Sequence, residues 1–341
     1  MKHLITGGSG FIGNLVARRL RERGEQVRVL DIWEDPTRPA DIEFVNASVT
    51  ERDSVRAAMQ GVDVVHHNAA LVAQTDAGQK YFDVNTEGSR IVAEEAAQAG
   101  VKSIIHTSST AVFGVPAEEP ITNDTPTLAM EPYGKSKLAG EQVMERICHD
   151  NDMVCITIRP RATLGAGRLG IFQILFEWIS ESRNVYVIGS GNIKFQFIHA
   201  ADLMDFYMLA LDTGKSGTYN VGTDDFGTLR GDLEKLIAYA GSTSKVKSLP
   251  EGLAINALRA LYHLRLSPLV PWHYLTYHKA CYFDVTPLKE LGWKPAYSNM
   301  AMLQESYDWF INSRQQDRDL GKSAHRAPLA QKALWLVKKL S

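Results

Sequence analysis

A tyrosine and a lysine, Tyr133 and Lys137, stand four residues apart at the start of a segment with a helical pattern. On a helix this spacing places both side chains on one face, where the Lys137 ammonium lowers the pKa of the Tyr133 phenol. A phenol with a pKa near neutrality can act as a general base on a hydroxyl group. Ser109, at the end of an apolar run, adds a hydroxyl that can hold the reacting oxygen. Taken alone, the pair also fits an exposed helix start. The predicted elements around the pair are therefore needed to distinguish a catalytic site from a surface feature.

Strand-like and helix-like patterns alternate from the first residues to about residue 160. Short apolar runs predict strands at 4–6, 26–30, 42–45, 62–67, 103–107 and 154–158. Helical patterns between them predict helices at 14–23, 51–59, 80–99 and 133–150. This alternation predicts an α/β fold with a doubly wound parallel sheet of the Rossmann type. Ligands of such sheets bind outside the carboxyl ends of the strands, which is where Ser108 and Ser109 stand.

The first predicted turn carries Gly7, Gly10 and Gly13 between a strand and a helix. Gly7 permits the tight turn, Gly10 lets the backbone approach a pyrophosphate, and Gly13 lets the helix pack on the strand. The helix N-terminus then offers free N–H groups and the positive end of its dipole to phosphates. The second strand ends in Asp31, whose carboxylate suits the adenosine ribose of NAD and repels the 2′-phosphate of NADP. The sequence therefore predicts an NAD-binding domain.

The composition narrows the classes of function. The chain has 341 residues, 45% of them hydrophobic and 22% charged, and a net charge of -2. These values are typical of a soluble enzyme and give no electrostatic indication of a nucleic-acid partner. Cys148, Cys155 and Cys281 are widely spaced, so neither a disulfide framework nor a metal site is predicted, and a cytoplasmic location is expected. The first residues read as a core strand without a signal peptide, and no run is apolar enough to span a membrane.

The motifs together resemble the extended short-chain dehydrogenase/reductase superfamily, in particular its NAD-dependent epimerase/dehydratase family. The resemblance runs from residue 1 to about 310 and rests on the glycine turn, Asp31, 68–70 (NAA), 83–88 (DVNTEG), 107–109 (TSS), 112–114 (VFG), Tyr133 with Lys137, 159–160 (RP), 197–202 (FIHAAD), 219–222 (YNVG) and 291–295 (LGWKP). It implies that Ser109 is the catalytic serine, Tyr133 the base and Lys137 its activator.

The resemblance also implies how the cofactor is held. Asn85 would support the helix beside the nicotinamide, and Ala69 would line the cofactor. Ser48 stands where the family usually has an acidic residue that holds the adenine, which weakens that contact. The predicted cofactor-binding residues are Gly7, Gly10, Phe11, Ile12, Gly13, Asp31, Ser48, Val49, Asn68, Ala69, Ala70, Asn85, Thr107, Tyr133, Lys137 and Pro160.

Departures from the family pattern bear on the reaction. Ser109 is followed by Thr110 and Ala111, where dehydratases of this family carry an acid and a base, so dehydration is not expected. Phe195 and Gln196 occupy the place of an Arg-Asp pair whose arginine grips the diphosphate of a nucleotide sugar. A further phosphate-binding arginine is missing from 271–283, which is rich in aromatic residues instead.

Two substrate hypotheses follow from the resemblance. The favoured one is a nucleotide-sugar epimerase that oxidises a ring hydroxyl transiently, because residues 189–192 and 219–222 look like those of the sugar enzymes. The alternative is a 3β-hydroxysteroid or sterol-type dehydrogenase with net hydride transfer, which the aromatic stretch and the missing arginines fit. A non-enzymatic scaffold role is disfavoured because Ser109, Tyr133 and Lys137 are all present.

The predicted substrate-binding residues are Ser108, Ser109, Arg161, Arg168 and Lys194. We predict an NAD-binding domain at 1–160, a substrate domain at 161–311 with segments that return to the core, and a charged linker with a basic amphipathic helix at 312–341. That helix is expected on the enzyme itself or a second subunit, with an anionic membrane surface as the alternative. Relatives dimerise through helices corresponding to 80–99 and 133–150, which implies a homodimer. His66, His67 and His199 are interpreted as structural.

Overall fold

The computed structural model describes residues 1–73, 77–168, 170–267 and 269–315, together with Trp335 and Lys338. Its centre is a seven-stranded parallel sheet of β1 (Lys2–Thr6), β2 (Gln26–Asp31), β3 (Glu43–Asn46), β4 (Val64–His67), β5 (Ser103–Thr107), β6 (Val154–Pro160) and β10 (Gly217–Val221). The strands lie in the order β10-β6-β5-β4-β1-β2-β3. The predicted Rossmann-type α/β fold is confirmed.

Helices connect these strands and cover the sheet. In the first half they are α1 (Phe11–Glu22), α2 (Arg52–Ala58), α3 (Lys80–Phe82), α4 (Gly88–Gln98) and α5 (Pro132–Asp150). The segment Asp83–Glu87, between α3 and α4, is a π-helical turn. A 3₁₀ turn at Thr110–Phe113 follows β5.

Both faces of the sheet are buried because helices pack on each of them, and successive strand residues point to opposite faces. Leu4 and Ile5 are adjacent in β1 and fully buried, yet they belong to different hydrophobic clusters. Ile5 packs with residues of α1 and of α7 (Ala200–Thr213), whereas Leu4 packs with residues of α2, α4 and α5. Burial on both faces is the arrangement that parallel sheets require.

The remaining elements form a smaller unit beside the carboxyl ends of the strands. Its strands pair as β7 (Ala162–Leu164) with β9 (Phe197–His199) and β8 (Val185–Ile188) with β11 (Val246–Leu249). Its helices are α6 (Phe172–Ser180), α8 (Leu229–Tyr239), α9 (Glu251–His263), α10 (Pro271–Thr276) and α12 (Asn299–Gln315), whereas α11 (Thr286–Glu290) packs on the central sheet. Their core is a third cluster that includes Phe176, Phe197, Leu236 and Met302.

Three segments of the predicted substrate domain return to the central sheet. Strand β10 pairs with β6, and Tyr207 of α7 and Leu288 of α11 are buried in the same cluster as Ile5. At the other end, α12 runs to Gln315, past the position where the linker was predicted to begin. Most of the predicted C-terminal helix lies outside the described residues, but Lys338 forms ion pairs with Glu177 at 2.6 Å and Glu181 at 2.8 Å. No helix in the described part of the chain is long and apolar enough to cross a membrane.

Candidate active site

The carboxyl ends of β1, β2, β4, β5 and β6 open into one cavity of about 560 Å³. Of the predicted cofactor-binding residues, all except Asn85 line it. Of the predicted substrate-binding residues, all except Lys194 line it. Sequence positions from 7 to 281 thus meet at one site, as expected for the switch region of a doubly wound sheet.

The glycine turn after β1 has the shape that a phosphate cradle needs. Gly7 has φ +69°, and a Cβ atom there would lie 2.6 Å from the backbone nitrogen of Ala69. A Cβ atom on Gly13 would collide with the Gly7 carbonyl oxygen, so α1 packs closely against the turn. Gly10 caps α1 without a side-chain hydrogen bond. The first N–H groups of α1 are therefore available to a pyrophosphate in the cavity.

Asp31, the last residue of β2, lines the cavity beside the glycine turn. Its carboxylate accepts hydrogen bonds from the backbone N–H groups of Ser9 at 3.0 Å and Trp33 at 3.3 Å. Burial raises its pKa, and these two bonds counteract the rise. The Oγ atom of Ser9 is buried and has no hydrogen-bond partner in the described part of the chain. Ser9 and Asp31 together offer a donor and an acceptor beside the glycine turn, which fits a dinucleotide.

Asn85 lies behind the cavity wall. Its side-chain oxygen accepts a bond from Leu71 N at 2.8 Å, and its amide nitrogen donates to Leu71 O and Ser136 Oγ, both at 3.0 Å. It belongs to the π-helical turn, a distortion that occurs frequently at functional sites. Asn85 thereby ties the loop after β4 to helix α5, although it does not line the cavity itself.

Tyr133 begins the first turn of α5, which a carboxylate holds in place. Glu131 accepts hydrogen bonds from Tyr133 N at 2.8 Å and Gly134 N at 2.7 Å. A Cβ atom at position 134 would lie 2.6 Å from the Ala111 carbonyl oxygen, so only glycine lets α5 approach the 3₁₀ turn this closely. Ser109 caps that turn by accepting a bond from Ala111 N at 3.2 Å. The two turns bring the Ser109 hydroxyl to the Tyr133 phenol.

Burial raises the pKa of Tyr133 to about 12, while its hydrogen bond with Ser109 acts in the opposite direction. The Lys137 ammonium donates to the Thr107 carbonyl oxygen at 2.7 Å, and burial lowers the pKa of Lys137 to about 8. The spacing of Tyr133 and Lys137 predicts a lowered phenol pKa, and the structure shows a raised one instead. The reason is that desolvation of the phenol outweighs the neighbouring charges.

The two predicted arginines differ in their surroundings. Arg161 donates from Nε to Gln196 O at 3.0 Å and from Nη1 to Cys281 Sγ at 2.9 Å. Arg168 lies with Cζ 5.1 Å from the centre of the Phe11 ring. Burial lowers the pKa of Arg168 to about 10, so it remains a cation at neutral pH.

Lys194 and Gln196 are not among the residues that line the cavity. The Lys194 ammonium lies 5.0 Å from the centre of the Tyr282 ring, outside the cavity lining. Gln196 is fully buried, and its side chain bonds Thr223 O at 2.6 Å and Phe283 N at 2.8 Å. Gln196, the second of the two residues at the place of the expected Arg-Asp pair, is therefore part of the core.

Four aromatic residues of the smaller unit that were not among the predicted site residues also line the cavity. They are Phe172, Phe195, Trp272 and Tyr277. The aromatic composition of 271–283 indicates Trp272 and Tyr277 as candidate site residues. Phe172 follows an ordinary helical pattern, which gives no such indication. Glu131 was not among the predicted site residues either. The sequence feature that indicates it is a carboxylate two residues before Tyr133 at a helix start.

The histidines of the sheet take structural positions. His66 bonds His3 at 2.8 Å and Tyr207 at 3.1 Å, and His67 bonds Thr6 at 2.8 Å and Ser89 at 2.9 Å. His199 caps α7 through Ala201 N at 3.2 Å. In the described part of the chain no three His, Cys, Asp or Glu residues are grouped so as to hold a metal ion.

The model of the NAD dependent epimerase/dehydratase family matches residues 3–222 of this sequence. The chain belongs to that family. Membership confirms the resemblance and the predicted cofactor, NAD, and makes the chain an NAD-dependent epimerase or dehydrogenase.

Proteins similar to this chain include an uncharacterised protein, a sugar epimerase and a hydroxysteroid dehydrogenase. An uncharacterised protein of Sinorhizobium fredii is 38% identical over 98% of this chain and 85% of its own length. The UDP-glucose 4-epimerase of Bacillus subtilis is 28% identical over 91% of this chain and 96% of its own. The 3-beta-hydroxysteroid dehydrogenase of Mycolicibacterium neoaurum is 29% identical over 61% of this chain and 60% of its own.

Proposed function

We propose that the chain is a nucleotide-sugar epimerase that oxidises a ring hydroxyl with NAD and returns the hydride to the opposite face. The observation that carries this proposal is the meeting of Ser109, Tyr133 and Lys137 in one cavity, between the glycine turn and the aromatic wall. The match to the Bacillus subtilis UDP-glucose 4-epimerase, which extends over nearly the whole of both chains, supports the same reaction.

In this proposal Tyr133 is the general base. It takes the proton from the substrate hydroxyl while Ser109 holds the same oxygen by a hydrogen bond. Bound NAD would supply the hydride acceptor, and the positive charge of its oxidised nicotinamide would lower the Tyr133 pKa from its value of about 12, in the same direction as the charge of Arg168. When the reaction reverses, Tyr133 gives the proton back, so the cycle consumes no proton.

Lys137 has a second role in the proposal. An ammonium has three N–H donors, and one of them is directed at Thr107 O. The remaining donors are available to the nicotinamide ribose. Gly7, Gly10 and Gly13 would hold the pyrophosphate, and Asp31 the adenosine ribose.

A specific observation favours a second candidate, the oxidation of an apolar alcohol by a hydroxysteroid-type dehydrogenase. Arg161 is engaged by Gln196 O and Cys281 Sγ, and Lys194 lies outside the cavity lining, so few cations in the described part of the cavity wall are available for a diphosphate. The walls formed by Phe172, Phe195, Trp272 and Tyr277 suit an apolar ring system.

The test is to purify the chain without added cofactor, identify retained small molecules by mass spectrometry and assay both reactions. Conversion of UDP-glucose into UDP-galactose without added NAD supports the epimerase, because epimerisation regenerates its cofactor. NADH formed in step with oxidation of a 3β-hydroxysteroid, and no sugar conversion, replaces it with the dehydrogenase. Absence of any conversion of UDP-glucose, UDP-glucuronic acid or the 3β-hydroxysteroid, with the protein folded and NAD bound, overturns the proposal.

We also propose a homodimer formed through the α4 and α5 faces, and a cytoplasmic location. The three cysteines Cys148, Cys155 and Cys281 are buried free thiols, in keeping with a reducing compartment. Light scattering coupled to size-exclusion chromatography measures the oligomeric state, and a monomer at micromolar concentration contradicts the dimer.

A further inference from the structure

Arg168 lines the cavity beside Tyr133, and no carboxylate in the described part of the chain neutralises its charge. It has no carboxylate partner among the residues that the structure describes. Its backbone is fixed by a hydrogen bond from Arg168 N to Gly165 O at 3.0 Å. Its guanidinium lies against Phe11 and lines the same cavity as Tyr133. The side chain is thus held at the reacting end of the site without a counter-ion.

An unpaired cation in a partly dry cavity is costly. The surroundings of Arg168 are aromatic, and the phenols of Tyr133 and Tyr277 are close enough to interact with it electrostatically. Neutral phenols do not balance its charge. An anionic group on a bound substrate would supply the missing partner, and the arginine fork matches a carboxylate through two parallel hydrogen bonds.

The charge count favours a single carboxylate over a diphosphate at this position. Arg161 is engaged by the core and Lys194 lies outside the cavity lining, which leaves Arg168 as the free guanidinium in the described wall. A diphosphate carries about two negative charges and is usually met by several donors. A carboxylate carries one, and its planar pair of oxygens fits one guanidinium.

The position of Arg168 relative to Tyr133 limits which carbon of the substrate can carry that carboxylate. The reacting hydroxyl has to lie within hydrogen-bond distance of the Tyr133 phenol. A group that reaches Arg168 in the same part of the cavity is therefore attached close to the reacting carbon. In a nucleotide sugar the diphosphate is on the far side of the ring from a 4-hydroxyl, whereas a 5-carboxylate is next to it.

We propose that Arg168 binds a carboxylate on the carbon next to the one that is oxidised, so that the substrate is a 3-hydroxy acid. The inference rests on the proposed hydride transfer at Tyr133 and applies to either substrate class. The hydroxy acid is a nucleotide-linked uronic acid in the first case and an apolar ring with a neighbouring carboxylate in the second. Arg168 is then the residue that distinguishes acids from the corresponding neutral alcohols.

Matched substrate pairs test this specificity. UDP-glucuronic acid and UDP-glucose differ only in the group at C5, and a 3β-hydroxysteroid with or without a 4-carboxyl group forms the apolar pair. We expect the wild-type enzyme to prefer the acid of one pair in kcat/KM. In Arg168→Gln the acid-to-neutral ratio should fall about 10- to 100-fold, the loss expected for a hydrogen bond to a charged group. Arg168→Lys should recover part of the ratio, because it keeps the charge without the fork.

Binding measurements separate this inference from the proposed function. Isothermal titration of the NAD-loaded enzyme with UDP-glucuronic acid, UDP-glucose and UDP needs no turnover. Arg146→Gln, an exposed arginine of α5, is the matched control and should keep the wild-type pattern. Tighter binding of the acid that Arg168→Gln abolishes supports the inference even if no turnover occurs, in which case only the proposed function fails.

Three results overturn the inference. The first is an acid-to-neutral ratio, in both binding and turnover, that is the same in the wild type and Arg168→Gln. The second is an equal loss of affinity for UDP and for both sugars, which assigns Arg168 to the diphosphate. The third is a weaker affinity for NAD alone, which assigns it to the cofactor pyrophosphate near Phe11.

Discussion

The Lys137 ammonium donates a hydrogen bond to the carbonyl oxygen of Thr107 at 2.7 Å, which fastens helix α5 to the carboxyl end of β5. Ser109 lies two residues beyond Thr107, and Tyr133 lies one helical turn before Lys137. One buried contact therefore sets the distance between the hydroxyl and the phenol. The pKa of Lys137, lowered to about 8 by burial, still leaves the ammonium largely protonated at neutral pH.

Replacement of Tyr133 by phenylalanine removes the proposed base and keeps the ring. We expect turnover to fall on the order of 10²- to 10⁴-fold, the usual contribution of a general base, with NAD affinity nearly unchanged. Steady-state kinetics and fluorescence titration with NADH measure the two effects. Tyr239→Phe is the control, because this exposed phenol bonds Asp308 at 2.7 Å on the surface. Turnover in Tyr133→Phe equal to that of the control would remove the mechanism.

Asp31→Asn should weaken NAD binding about 10- to 100-fold and reduce the preference for NAD over NADP. The carboxylate is held by Ser9 N and Trp33 N, so it is placed to accept bonds from the ribose hydroxyls and to repel a 2′-phosphate. Dissociation constants for both cofactors check this prediction. Asp41→Asn, an exposed carboxylate paired with Arg21, should bind both like the wild type. An unchanged ratio of the two constants in Asp31→Asn would show that the ribose contact lies elsewhere.

Glu131 positions Tyr133 and raises its pKa through its negative charge. Glu131→Gln keeps an acceptor oxygen for the helix start and removes that charge. Since an ionised base is needed, the rising limb of kcat against pH should move to lower pH. Glu131→Ala loses the cap as well, which costs about 1 kcal/mol of stability and lowers kcat.

The dependence of kcat on pH distinguishes the effect of Glu131 on the Tyr133 pKa from its role as a helix cap. Glu118→Gln, an exposed carboxylate before the same helix, is the control and should keep the wild-type profile. If the rising limb of kcat against pH stays in place in Glu131→Gln, or moves to higher pH, the electrostatic role is contradicted. Glu131 then acts only as the cap of helix α5.

The sheet and the cofactor half of the site could be predicted from the sequence because their signals are local. The run 103–107 became β5 with the predicted bounds, and the predicted helix 133–150 begins one residue earlier, at Pro132. The glycine turn and Asp31 are defined by neighbouring elements of the chain. The predicted helix 80–99 also formed, but the π turn at Asp83–Glu87 interrupts it, since Asn85 bonds across to Leu71 and Ser136.

The substrate half could not be predicted to the same extent because distant segments determine it. Arg161 and Arg168 look alike in the sequence, yet Arg161 is engaged by Cys281, which is 120 positions away. The raised pKa of Tyr133 likewise depends on burial by several elements, which the spacing to Lys137 does not encode.

His106 is fully buried, stacks on His67 at a ring distance of 5.3 Å, and has no hydrogen-bond partner for either ring nitrogen in the described part of the chain. Burial lowers the pKa of His106 well below its usual range and that of His67 to about 3. A histidine that stays neutral in the fold but is protonated when unfolded makes stability fall as pH drops below about 6.5, by about 1.4 kcal/mol per pH unit.

His106→Phe should therefore equal or exceed the wild type in free energy of unfolding at pH 7.5, because it removes an unsatisfied polar ring. Between pH 6 and pH 5 it should lose about 1.4 kcal/mol less than the wild type. Urea denaturation at several pH values measures both quantities. His149→Phe, at an exposed position of α5, is the control and should keep the wild-type pH dependence. A His106→Phe curve parallel to that of the wild type would mean that His106 is protonated in the folded protein, with a counter-charge or water that balances it.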